Sequence, residues 1–103
     1  MLTKERSPVL KDVPTAREQG SDVEAYTWNA IFLPKGAPAD VVKKLNEAML
    51  GTMNTASVRE RLQALGANVV SNDRATPDYL ANFVKSEIEK WAAPIKASGV
   101  TAD

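Results

Sequence analysis

At 103 residues, 44% apolar and 25% charged, the chain has the composition of one ordinary globular domain. Thirteen Lys and Arg balance thirteen Asp and Glu, so no net field recruits nucleic acid or an anionic membrane surface. Cysteine and histidine are absent, which excludes disulfide frameworks, thiolate chemistry and the side chain best suited to metal ligation and to proton transfer near neutrality.

The opening stretch, MLTKERSPVL, has no long apolar segment of the kind a secretory signal needs, and no run approaches the ~20 apolar residues that span a bilayer. Pro8 and Pro14 lock φ and push their neighbours toward extended conformations, so residues 1–23 read as irregular. Thr15 and Glu18 have the spacing of a capping box, which predicts a short helix at about 15–19 ending at Gly20.

AYTWNAIFL, residues 25–33, is the best strand candidate. Tyr26, Trp28, Ala30 and Phe32 share one face, and Ile31 and Leu33 make the second half apolar on both. From Pro38 to about Met53, the apolar positions Val41, Val42, Leu45, Ala48, Met49 and Met53 have helical spacing. Asn54 or Thr55 caps a second helix carrying Val58, Leu62 and Leu65, with Gly66 just past its end. ANVV, residues 67–70, is a short strand candidate.

Thr76, Pro77 and Asp78 are the cap, first-turn proline and dipole-facing acid of a last, long helix. Its stripe is Leu80, Phe83, Val84, Ile88, Trp91 and Ile95, and Gly99 ends it. Pro94 deletes one i→i−4 bond and predicts a kink near Lys90–Trp91. The predicted order is β, α, α, short β, long α: an α/β fold, helix-rich, with one main and one short strand.

Candidate chemistry is sparse. Glu87 and Glu89 point about 200° apart around a helix and read as a solvated face rather than an acid–base pair. LPKGAP precedes a helix N-terminus but lacks the spacing of a phosphate loop, so it reads as a turn. The two helices meeting at Asn54 resemble a helix-turn-helix, yet Arg59 and Arg61 flank Glu60 and form no basic face, so no nucleic-acid partner is expected. Trp91 reads as packing. Tyr26, Thr27, Trp28 and Asn29 place hydrogen-bonding tips beside aromatic rings, a mixture common in ligand pockets, and are the candidate ligand-binding residues. No catalytic residue, metal or cofactor is expected, and no enzyme.

RSPVLKDVPTAREQG resembles the R-S-P-x-L-x-D-V-P-T-x-x-E-x-G signature of the Bug/TctC receptors, the substrate-binding proteins of tripartite tricarboxylate transporters. Trp28, LPKGAP, VVKKLNEAM, VRERLQALGA, TPDYLANFVKSEIEKW and IKASGV continue the resemblance in order. Ser21, Asp22, Val23 and Glu24 depart from the family's Pro-Gly-Tyr-Glu, and Asn29-Ala30 departs after the tryptophan.

Such receptors are about three times this length, so the resemblance covers their C-terminal third. It implies a fragment of a type II periplasmic-binding-protein-like fold: residues 1–23 as the tail of the second lobe, 24–33 as a returning strand, 34–103 as the C-terminal part of the first lobe. It also implies a periplasmic role in which a small carboxylate is captured for membrane permease subunits, with the main carboxylate-holding loops lying outside this stretch. A strand with two apolar faces hides ~300–400 Å², worth about 8–10 kcal/mol before entropy costs. Alone, the chain is therefore expected to bind little and to form a homo-oligomer through the exposed strand or long helix. The competing expectation is a stand-alone self-associating module without ligand.

Overall fold

The computed structural model describes residues 1–100. Its elements are a 3-10 turn at Arg17–Gln19 and three α-helices, α1 Ala39–Met53, α2 Ala56–Ala64 and α3 Pro77–Ser98. Residues 101–103, the end of the predicted 34–103 stretch, lie outside the described residues.

The helices form where local chemistry favours them. At the 3-10 turn, the Thr15 N–H donates to Glu18 Oε2 at 2.8 Å and the Glu18 N–H donates to Thr15 Oγ1 at 3.2 Å, the reciprocal capping box. Gly20 closes the turn at φ 86°. Thr76 Oγ1 accepts from the Tyr79 N–H at 3.2 Å, Pro77 follows in the first turn, and Gly99 ends α3 at φ 69°. Thr55 stands at the predicted cap of α2, but its hydroxyl donates back to the Gly51 carbonyl at 3.1 Å instead of capping. Gly66 takes φ +76° after α2, and a Cβ there would meet Val9 Cγ2 at 3.2 Å, so the lead-in passes close over that helix end.

Neither predicted strand forms among the described residues, and the α/β expectation is corrected to an all-α arrangement. Residues 24–33 and 67–70 are irregular, so the likeness to a two-lobed type II periplasmic-binding-protein sheet is not seen either. The reason is partnership. A helix satisfies its backbone within itself, whereas a strand needs a neighbour for its N–H and C=O groups. The extended run obtains one such bond, from the Ala25 N–H to the Leu2 carbonyl at 2.9 Å. From Tyr26 to Leu33 no backbone group has a partner among the described residues.

The N-terminus is the best-tied non-helical part. The Met1 ammonium donates to the Pro14 carbonyl at 2.7 Å, and the Met1 carbonyl accepts from the Ala16 N–H at 2.7 Å. Arg6 Nε donates to both Glu18 carboxylate oxygens at 2.9 and 3.0 Å. Elsewhere polar ties join the helices: Asn46 Nδ2 donates to the Ala75 carbonyl at 2.9 Å, linking α1 to the loop before α3.

Apolar packing is thin. Thr15, 2% exposed, is the one buried residue among those described, and no apolar side chain reaches that state. The radius of gyration is 16.7 Å, against about 13 Å for a compact domain of this length. Helix α3 half-covers Leu80, Phe83, Val84 and Trp91, while Ile88 and Ile95 of the predicted stripe are 66% and 53% exposed. The helix continues through Pro94 to Ser98.

Candidate functional site

Most of the aromatic residues gather where the extended run crosses α3. Trp28 meets Phe83 edge-to-face at 5.2 Å between ring centroids, and Phe83 stacks on Tyr79 at 6.4 Å. Further along α3, Lys90 Nζ lies 5.8 Å from the Tyr26 ring centroid and 5.3 Å from that of Trp91, within cation–π range. The run is thus antiparallel to α3, with Trp28 near its middle and Tyr26 nearer its end. Arg74 sits 5.9 Å over Tyr79 at the other end of the cluster.

Glu87 departs from the solvated-face expectation. Its side chain is 13% exposed and accepts from the Trp91 indole N–H at 3.1 Å, with Lys90 Nζ at 3.8 Å. The i, i+4 spacing of Glu87 and Trp91 is the sequence signal for that bond. Shielding from water, then the nearby Glu87 and Glu24 carboxylates, push the Tyr26 phenol up.

Of the four predicted site residues, Tyr26 and Trp28 join this cluster. Thr27 and Asn29 are exposed and hydrogen-bond to nothing among the described residues. Lys90, Arg74 and Glu87 are the site residues that sequence reasoning missed. Two open troughs border the cluster. Arg17, Asp22, Glu24, Lys90, Trp91 and Pro94 line one of mixed charge, in which Arg17 is held by Asp22 at 2.9 Å. The other is an apolar groove between Trp28, Ile88, Trp91 and Ile95, with Glu87 at its edge. Neither encloses the volume that grips a small molecule on most sides. Among the described residues no cluster of acidic side chains could hold a metal ion, and no helix is long and apolar enough to cross a membrane.

The model of the tripartite tricarboxylate transporter family receptor, TctC, matches residues 1–100. The chain belongs to this receptor family. A UPF0065 protein in the TAR-I ttuE-ttuC' intergenic region of Agrobacterium vitis is 41% identical over 100 residues, covering 96% of this chain and 29% of that protein. BugT of Bordetella pertussis is 32% identical over 100 residues, 96% of this chain and 30% of BugT. A UPF0065 protein in the tcbD-tcbE intergenic region of a Pseudomonas species is 36% identical over 89 residues, 84% of this chain and 26% of that protein. The chain therefore spans less than a third of each of these TctC-family relatives. No solved structure matches it.

Proposed function

We propose that the chain is one portion of an extracytoplasmic solute receptor that captures a small carboxylate in the periplasm and delivers it to the permease subunits of a tripartite-type transporter. The portion does no chemistry and has little binding ability of its own. The family match over residues 1–100 carries this reading. The open troughs support its second half, because a ligand seated in either stays largely in water.

Within the whole receptor, Tyr26, Thr27, Trp28 and Asn29 form part of the ligand wall. Trp28 and Tyr26 supply ring faces, the Tyr26 phenol donates a hydrogen bond, and Lys90 supplies a cation between the Tyr26 and Trp91 rings. In isolation the chain self-associates through the exposed run or α3.

Calorimetry with citrate, glutamate and an aromatic dicarboxylate tests the reading. The expected result is no saturable heat from the chain alone. Micromolar binding by the isolated chain overturns the claim that it lacks an independent site.

A further inference from the structure

Beyond the carboxylate reading, we infer that Tyr26, Trp91 and Glu87 form a binding site for a quaternary-ammonium headgroup, and that the Lys90 side chain is its tethered, intramolecular occupant.

The geometry is that of a cage with a cation already in it. The Lys90 ammonium lies 5.8 Å from the Tyr26 ring centroid and 5.3 Å from that of Trp91. Glu87 Oε1 is 3.8 Å away and supplies the opposite charge. Two ring faces and a carboxylate around one point attract an organic cation, because the negative ring faces and the anion act together there. Lys90 marks the point.

Each wall is held without Lys90. The Trp91 indole N–H donates to Glu87 Oε2 at 3.1 Å, which fixes ring and carboxylate relative to each other. Tyr26 stands between two attachments of the extended run, the Ala25 N–H on the Leu2 carbonyl at 2.9 Å and Trp28 on Phe83 at 5.2 Å. Withdrawing the Lys90 side chain therefore leaves the cage assembled. The charge beside it then favours a cation. In the adjoining trough Arg17 is paired with Asp22 at 2.9 Å, so Glu24 and Glu87 are the charges left near the vacated point.

The class of guest follows from what the cage lacks. The Glu87 oxygen lies beyond hydrogen-bonding reach of Lys90 Nζ, and ring faces accept N–H groups only weakly. A primary ammonium brings three N–H donors, and Lys90, 40% exposed, leaves them to water. A quaternary ammonium carries the same charge with no N–H to satisfy, and its methyl groups rest on the ring faces. The trough is open, which suits a headgroup rather than an enclosed molecule.

Choline is the probe. Ethanolamine is its primary-ammonium counterpart, and the alcohol in which a carbon replaces choline's nitrogen is its neutral counterpart. Each is titrated into the whole chain at constant ionic strength. Binding is read from the Trp91 indole N–H resonance and from saturation transfer between the choline methyl protons and the Tyr26 and Trp91 rings. Lys90→Ala puts the best helix former into α3 and is expected to bind choline saturably in the millimolar range. The unaltered chain is expected to bind it about tenfold more weakly, because the tethered ammonium competes for the cage. In the Lys90→Ala background, Glu87→Gln keeps an acceptor for the indole and Tyr26→Leu keeps an apolar side chain; each is expected to cut the affinity about fivefold. Ethanolamine and the neutral alcohol are expected to bind about fivefold more weakly than choline or worse. Far-UV circular dichroism checks that every variant keeps its helices.

A helical Lys90→Ala chain with no saturable choline response overturns the inference. Equal binding of the neutral alcohol or of ethanolamine also overturns it, as does the same choline affinity with and without Lys90. The same variant separates this site from the carboxylate reading, since it opens the cage while removing the cation that a carboxylate would meet.

Discussion

Phe83→Ala tests how the extended run is held on α3. Trp28 is 37% exposed, so about two-thirds of its side chain is covered, on the order of 150 Å². At ~25 cal/mol per Å² that burial is worth about 4 kcal/mol, reduced to roughly 3 kcal/mol because the unfolded chain already hides part of it. Phe83 supplies the edge-to-face contact at 5.2 Å, itself worth about 0.5–1.5 kcal/mol beyond area. Removing the ring is expected to cost about 1.5–2.5 kcal/mol of the attachment, raising the detached population roughly 10- to 60-fold. Fluorine NMR of 5-fluorotryptophan-labelled protein reads this directly, because the chain has two tryptophans and Trp91→Phe assigns them. The Trp28 resonance is expected to move toward its random-coil position while that of Trp91 holds. Phe32→Ala, at an exposed ring on the same run, is the control and moves neither. A Trp28 resonance unchanged by Phe83→Ala refutes the anchoring.

Two further predictions concern the local devices. The Arg6 guanidinium, then the Thr15 N–H, hold the Glu18 carboxyl down at about 2, below its ordinary 4.5. The stability it lends the lead-in is therefore complete above about pH 4.5 and is lost as pH falls toward 2; amide exchange at Thr15 follows that window, and Glu18→Gln abolishes the dependence. Thr76→Ala removes the acceptor for the Tyr79 N–H and is expected to destabilise the start of α3 by about 1 kcal/mol, seen as lost helical dichroism that Thr76→Ser restores.

The helices and their ends were legible in the residues alone. Pro38 to Met53, Thr55 to Gly66 and Thr76 to Gly99 bracket α1, α2 and α3 because a helix closes its hydrogen bonds between near neighbours and is stopped by the residues beside it. The Thr15–Glu18 box was legible for the same reason, since both partners lie within one turn. The family was legible as an ordered set of motifs, and the match over residues 1–100 agrees.

The candidate site was half legible. Tyr26 and Trp28 announced themselves as aromatic residues on one face of an extended run. Lys90, Glu87 and Arg74 did not, because their relation to those rings depends on how that run lies across α3.

The residues by themselves therefore determined the helices, the caps at Thr15 and Thr76 and the kinship of the chain, all of which rest on interactions within a few positions or on the order of motifs. Only the tertiary structure decided the rest: that AYTWNAIFL and ANVV form no sheet, that Ile88 and Ile95 face water, and that Trp28 rests on Phe83. Whether an apolar, extended segment becomes a strand depends on a distant stretch arriving to take its main-chain bonds, and no pattern inside the segment carries that information.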